Sequence, residues 1–393
     1  MKKVFAFYIL SSVLATETIA QTQVDDLLKQ VQQNNRSLQS NKKYWEARKA
    51  EYSTGLTPGD PQIDYDYLFG SPANAGNQQD FTATQRLDFP TVYKRRRVLL
   101  KEQVLQAELQ QNVYRQDILL EAKLVALELI YLNRQALVLN RRLTDAKELL
   151  KDYEIKLEKR NVIILDVNKT KLQLFNIQNQ LALNNNEIQL NQTRLTELNG
   201  GITIDVKDTL YPPVFSGPDF DILDNLIEAN DPLIEVYQQE KMIQEQKIMV
   251  QKALNLPKIE TGYHSQGILG QTYRGLHAGI SVPLWENKNR LKLAKANLDY
   301  AKSYAETQGL QHKLENRRLY DQLQVRKDAM EQYFALISSL NNTALLNKAL
   351  QFGEITIIQY LEDQAFYYSA YDNYLQLEKE YNKAVAELYK FAL

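Results

Sequence analysis

The sequence predicts a mainly α-helical protein with a small β part, built from long helical hairpins in tandem repeat, each carrying a pair of membrane-length strands. Three observations carry the prediction. The run from Thr91 to Asn199 contains neither glycine nor proline, the two residues most costly inside a helix, and Leu284 to Leu393 contains no proline and only Gly309 and Gly353. All ten prolines lie outside these runs, at 58, 61, 72, 90, 212, 213, 218, 232, 257 and 283, so helix and punctuation alternate twice. The third observation is that the order of elements recurs 193 to 196 residues later.

Taken in order, residues 1–20 read as a secretory signal. Lys2 and Lys3 supply positive charge, Val4 to Leu14 form the apolar stretch, and Thr18-Ile19-Ala20 offers small residues before the cut, so the mature chain is expected to begin at Gln21. An uncleaved anchor needs roughly 20 apolar residues, and Glu17 interrupts this one. Val24 to Ser53 is helical in pattern, with Leu27, Leu28, Val31 and Leu38 on one face, and Gly55 stops it. A strand is expected at about 62–69, where Ile63, Tyr65, Tyr67 and Phe69 alternate with Asp64 and Asp66. Gly70 to Gln79 reads as loop. A second strand at about 80–89 sets Phe81, Ala83, Leu87 and Phe89 opposite Thr82, Thr84, Arg86 and Asp88, and Pro90 ends it and opens the long helix.

The landmarks of the repeat are specific. Asn35 and Leu38 match Asn230 and Leu233, PQIDYDY at Pro61 matches PKIETGY at Pro257, and FPTVYKRRR matches VPLWENKNR. The first repeat is therefore placed at 21–199, a linker containing Pro212, Pro213 and Pro218 at 200–219, and the second repeat at 220–393. Its strands are expected at about 258–266 and 273–283, joined by a short loop over Gly267 to Thr272 and leaving through Pro283. In the returning helices, Val167, Leu174, Leu181, Ile188 and Leu195 are seven apart, and the same frame shifted by 193 reads Tyr360, Tyr367, Tyr374, Tyr381 and Leu388. A sustained heptad means coiled-coil packing. The tyrosines read as packing residues with hydroxyls reaching a wet side. Companion positions are mixed, with Thr170, Asn184, Asn191 and Asp363 among them, which predicts a partly wet inner surface.

Composition narrows the function. There is no cysteine, hence no disulfide, thiolate metal site or lipid-bearing thiol. A net charge of -1 gives nothing to recruit nucleic acid. His264, His277 and His312 are the only histidines, and none stands at metal-ligand spacing. No nucleophile paired with a base and no glycine-rich phosphate loop is visible, so no catalytic, cofactor-binding or metal residue is assigned and the chain is expected not to be an enzyme. No apolar stretch is long enough for a transmembrane helix, so any membrane crossing must use strands. Four strands cannot close a barrel when the smallest have about 8. Three chains give twelve, with aromatic and aliphatic residues toward lipid and Asp64, Asp66, Arg86 and Asp88 toward water.

The strand exits LDFPTVYKRRR and ISVPLWENKNR, the second hairpin tip FGEITIIQYLEDQ and the first tip RNVIILDVNKTK, set in this architecture, resemble the TolC-like outer-membrane efflux proteins over essentially the whole mature chain. The resemblance implies a homotrimer forming a 12-stranded β-barrel in the outer membrane lipid of a Gram-negative-type bacterium and an α-helical barrel through the periplasm. Its implied partners are a periplasmic adaptor (membrane fusion) protein and an inner-membrane efflux pump. The short C-terminus is similar to that of members serving heavy-metal pumps. Many relatives carry a lipidated cysteine after the signal; this chain has none. The expected function is the exit duct of a tripartite efflux system passing small molecules or metal ions. A channel for protein secretion remains open as an alternative, as does a secreted coiled-coil structural protein, which leaves the four strands unexplained.

The helix tips are expected at Arg160-Asn161 and at Gly353-Glu354. Beyond them, Asp166 in the first copy and Gln359, Glu362 and Asp363 in the second are the expected channel aperture, and Gln359 departs from the family where an acid is common. Acids in these first turns also complement the helix dipole, worth about 0.3 to 1 kcal/mol each. Arg95, Arg96 and Arg97, following the Phe89-Pro90 exit, read equally as a solvated helix start or as a contact with anionic headgroups.

Overall fold

In the computed structural model, which describes residues 24–211, 217–340 and 342–393, the uninterrupted runs are helices. The expected signal at 1–20 and the linker prolines Pro212 and Pro213 lie outside the described residues. Helices α1 (24–34) and α2 (Arg36–Tyr52) precede strands β1 (Gln62–Leu68) and β2 (Gln78–Leu87), then α3 (Pro90–Glu158) and α4 (Ile164–Leu198). The second half runs α5 (Phe220–Asn230), α6 (Pro232–Ala253), β3 (Lys258–Ile268), β4 (Gln271–Ser281), α7 (Arg290–Ser339), α8 (Asn342–Phe352) and α9 (Ile357–Leu388). Helix α3 is a single element of 69 residues whose first residue is Pro90, a position where the missing N–H costs nothing.

Several expected boundaries move. The first helix is not continuous, because Asn35 breaks it. Its buried side chain accepts from Leu38 N at 2.8 Å and donates to Leu198 O at 2.7 Å, competing with the helical ladder. The equivalent break in the second copy is capped by Asp231, which accepts from Leu233 N at 2.8 Å. The structural match to Asn35 is thus Asp231, one residue past the expected Asn230. Strand β2 ends at Leu87, two residues before Phe89, and Pro283 lies outside β4, with α7 starting only at Arg290. The β3–β4 connection shrinks from the expected Gly267–Thr272 to Leu269 and Gly270, both at positive φ (49° and 76°). Two positive angles are what a two-residue hairpin turn with the strands' own twist requires.

The four strands form one antiparallel sheet in the order β1-β2-β3-β4, so the two hairpins meet through the β2–β3 pair. The register sorts most side chains by polarity, with Gln79, Gln85 and Arg274 among the polar exceptions on the otherwise apolar face. Ile63, Tyr65 and Tyr67 share a face with Phe81, Ala83 and Leu87, with Ile259 and Tyr263, and with Leu276, Ala278 and Ile280. The other face carries Asp64, Asp66, Asp80, Arg86, Glu260, His264 and His277. Leu276 on the apolar face is 92% exposed, so within one chain nothing covers it. Asp88 lies beyond β2 and pairs with Arg96 at 3.1 Å.

The chain divides into two compact units, one of residues 40–113 and 231–312, which holds the sheet, and one of residues up to 39, 114–230 and 313–393. In the helical unit, Val31 of α1, Ala126, Leu129 and Ile130 of α3 and Leu195 of α4 share one core, while Leu223, Leu323, Leu375 and Tyr381 centre another. Segment 201–211 is held to α3: Asn133 donates to Val206 O at 2.8 Å, and buried Tyr211 donates to Leu127 O at 3.1 Å. All ten heptad positions are buried or half-buried. The expected wetness at their companions is overturned at Thr170. Thr170 is buried with its hydroxyl on Val167 O, and Asn184 is buried with its amide on Leu132 O at 3.0 Å. Both donors find carbonyl partners, whereas Asn184 Oδ1 is buried with no hydrogen-bond partner among the described residues. Two of the four tyrosine hydroxyls likewise turn to protein: Tyr360 donates to Asn347 at 2.8 Å and Tyr374 to Glu378 at 3.2 Å.

Candidate functional site

Both helix tips are built the same way. At the first, Arg160 N donates to Leu157 O and Asn161 N to Lys156 O; at the second, Gly353 N donates to Leu350 O and Glu354 N to Ala349 O. Each is a Schellman turn, with its pivot residue left-handed at φ 58° for Arg160 and 73° for Gly353. The pivots stand 193 residues apart, the offset of the sequence repeat. Only the second copy uses the residue that adopts this φ without strain. Arg160→Gly is therefore expected to stabilise the protein by about 1 kcal/mol and Gly353→Ala to destabilise it by a similar amount. Thermal unfolding of the two variants beside the unmodified chain checks the pair of signs.

The tips share one core. Tyr153 and Val167 of the first hairpin pack with Ile357 and Tyr360 of the second, joined by Leu157, Val162, Leu346 and Leu350. Asp166 is the third residue of α4 and half-buried. Burial pushes the Tyr153 phenol up, and the nearby Asp166 charge adds to it. Gln359 occupies the equivalent third position of α9, where its side-chain oxygen accepts from Thr356 N at 2.9 Å and Thr356 caps the helix in return at 3.3 Å. This reciprocal capping box gives Gln359 a structural task that Asp166 lacks, since the cap of α4 is Ile163, which has no side-chain bond to give. Glu362 and Asp363 are exposed. Asp363 lines a groove of about 510 Å³ with Leu336, Leu345, Phe366 and Tyr367. The structure thus brings Asp166, Gln359, Glu362 and Asp363 to the starts of two neighbouring helices. It leaves Pro90 and Pro283 in the other unit, at the exits of β2 and β4.

Sequence reasoning missed the charged contacts between α3 and α9, among them Glu128 with Lys379 at 3.2 Å and Lys383 at 2.5 Å. Arg142, 6% exposed, grips Asp372 with two bonds of 2.9 and 2.7 Å while its guanidinium stacks on Tyr368 at 4.0 Å. Arg134 bonds Glu378 at 2.5 Å. The only signal was Asp372 and Glu378 in a tyrosine-rich helix. The histidines also have carboxylate partners: His264 meets Asp80 at 3.0 Å, His277 meets Glu260 at 3.5 Å and His312 meets Asp231 at 3.2 Å. Among the described residues no three His, Cys, Asp or Glu side chains converge to hold a metal ion, and no helix is long and apolar enough to cross a membrane.

No protein-family model and no curated protein matches the sequence. Solved structures match nearly its whole length. The channel protein CusC superposes with a TM-score of 0.80 at 14% identity, covering 94% of this chain and 92% of that one. A membrane protein from Pseudomonas aeruginosa gives 0.77 at 17% identity over 94% and 93%, and the outer membrane protein VceC of Vibrio cholerae 0.71 at 14% over 95% and 96%. The chain has the TolC-like fold. At these identities the likeness is one of fold, and it covers both the sheet and the helical hairpins of the TolC-like architecture.

Proposed function

We propose that the chain is one subunit of a homotrimeric outer-membrane channel, reaching into the periplasm, that forms the exit duct of a tripartite efflux system. It receives small molecules or metal ions from a periplasmic adaptor and an inner-membrane pump and releases them outside. One observation carries this reading: the four-stranded sheet has an exposed apolar face, a charged opposite face, and β1 and β4 as its two edges. Lipid tolerates no open edge, so such a sheet is completed by copies of itself. Strands β2, β3 and β4, of 10, 11 and 11 residues, suit a tilted crossing, and β1 is shorter at 7. Further support comes from the solved structures of the same fold described as outer membrane channels, OprN and MtrE among them.

In this reading the two repeats, 21–199 and 220–393, each supply two strands and one hairpin. The chain performs no chemistry on its cargo. It supplies a polar wall on one sheet face and a constriction at the helix tips, where Asp166, Glu362 and Asp363 from three chains form a ring of carboxylates. Such a ring concentrates cations and repels anions because fields focus in a narrow low-dielectric mouth. Gln359 closes the cap of α9 and leaves the charge to its neighbours. Glu362→Gln with Asp363→Asn is expected to leave trimers intact while lowering cation selectivity and weakening block by trivalent cations about tenfold or more. Planar-bilayer recordings in a salt gradient decide it: an unchanged reversal potential and unchanged block exclude these residues from the constriction. The wider reading fails if the protein washes off outer membranes in carbonate and high salt, or conducts as a monomer.

A further inference from the structure

The two ends of the sheet differ in charge: bases cluster beyond one end, while at the other the first charges met are Asp66, Asp80 and Arg274 within the strands. Leu87, Ile259 and Ile280 form one row across β2, β3 and β4, so β2 and β4 finish at the same end. Just beyond it, Lys94, Arg95 and Arg97 lie in the second turn of α3, and Lys288, Arg290 and Lys292 surround the start of α7; all six are exposed. Other bases nearby are already committed. Arg96 is held by Asp88 at 3.1 Å and by Gly55 O at 3.0 Å, and Lys258 holds Glu286 at 2.8 Å. The six exposed bases take part in no ion pair among the described residues. At the opposite end, residues 67–79 and 265–273 contain no Asp, Glu, Lys or Arg.

Arg290 and Lys292 in the first turn of α7 oppose the helix dipole, and no acid in that turn offsets them. Both copies place three exposed bases, without an ion pair among the described residues, just past the end of a strand, which points to a partner outside the chain. The bases also border an apolar band. Val282, Leu284 and Trp285 are exposed between β4 and the second cluster, Trp285 at 79%, and tryptophan favours the depth where hydrocarbon gives way to headgroups. Two helical turns extend about 10 Å, comparable to the headgroup layer on one side of a bilayer.

We propose that these six bases bind the phosphate groups of anionic glycerophospholipids in the periplasm-facing leaflet, and so fix which end of the sheet faces inward. The inference rests on the membrane-channel reading above. Its test is the purified full-length protein in nanodiscs of equal phosphatidylglycerol and phosphatidylcholine, with retained lipids counted by native mass spectrometry. The unmodified protein is expected to enrich phosphatidylglycerol about fivefold or more. The variant Lys94→Gln, Arg95→Gln, Arg97→Gln, Lys288→Gln, Arg290→Gln, Lys292→Gln should fall to no preference, and either three-base half of it to an intermediate value. Exchanging Arg95, Arg97 and Arg290 for lysine should keep the enrichment, because the charge is kept. Equal retention of both lipids by the unmodified protein, or undiminished enrichment in the six-base and both three-base variants, overturns the proposal. So does full competition by millimolar inorganic phosphate, which would make this a site for free phosphate. Conductance of the same preparations separates the two readings: a protein that conducts without enrichment refutes the lipid contact alone, and one that never conducts refutes the channel.

Discussion

Gly200→Val is expected to destabilise the protein by about 3 kcal/mol or more. Gly200 is the pivot of a third Schellman turn, at the end of α4, where Gly200 N donates to Glu197 O and Gly201 N to Thr196 O. Its φ of 70° disfavours any β-branched residue, and an added Cβ would lie 2.2 Å from Asn34 O, a backbone atom with nowhere to go. The displacement would strike a fixed point of the fold. Asn34 bonds Asn199 at 3.0 Å, and Asn35 is tied to Leu198 O beside it. Gly201→Ala serves as the control for the close approach alone: it carries its own backbone cost at φ 97°, but its Cβ would meet only the end of the Arg36 side chain at 4.0 Å. Thermal unfolding in detergent should drop clearly for Gly200→Val and much less for Gly201→Ala; equal midpoints would mean the close approach carries no strain.

The second large effect is expected at the Arg142–Asp372 pair. Asp372→Ala leaves a guanidinium that is 6% exposed without its counter-charge, and breaking a buried pair from one side costs about 3 kcal/mol or more. Asp372 itself is 39% exposed, which places the estimate at the lower end. Adding Arg142→Met to the same chain should recover much of the loss, since an apolar side chain of similar length needs no partner. Stability of the two single variants and the double variant, compared as a cycle, measures the coupling. A double variant no better than Asp372→Ala would show that the stacking on Tyr368 matters more than the charge.

The long helices, the four strands and the positions of the tips were legible because each rests on a local rule. Glycine and proline are excluded from helix interiors, strands alternate in polarity, and Gly353 marks a turn by its own backbone freedom. The first tip was found only through the repeat, since Arg160 gives no such signal. What escaped depended on partners distant in sequence. The break at Asn35 follows from a bond to Leu198, the burial of Asn184 from a carbonyl on α3, and the burial of Arg142 from a carboxylate on α9. A polar residue at an inner heptad position looks the same in sequence whether water or a buried carbonyl satisfies it. At the expected aperture, the change from acid to Gln359 is visible in the sequence, but its use as the partner of Thr356 needs the geometry of the cap.

The bare edges of β1 and β4 also bear on how the chain is made. An edge strand in lipid leaves a row of peptide groups unsatisfied, each costing several kcal/mol, so a solitary chain with its sheet in a bilayer is not an energetically accessible end point. On the proposed channel reading, the membrane-inserted state then obeys mass action: its population grows with a power of chain concentration, and its unfolding midpoint rises with the amount of protein present. For such a protein, the rate of synthesis and delivery becomes a determinant of native structure alongside the contacts within the chain.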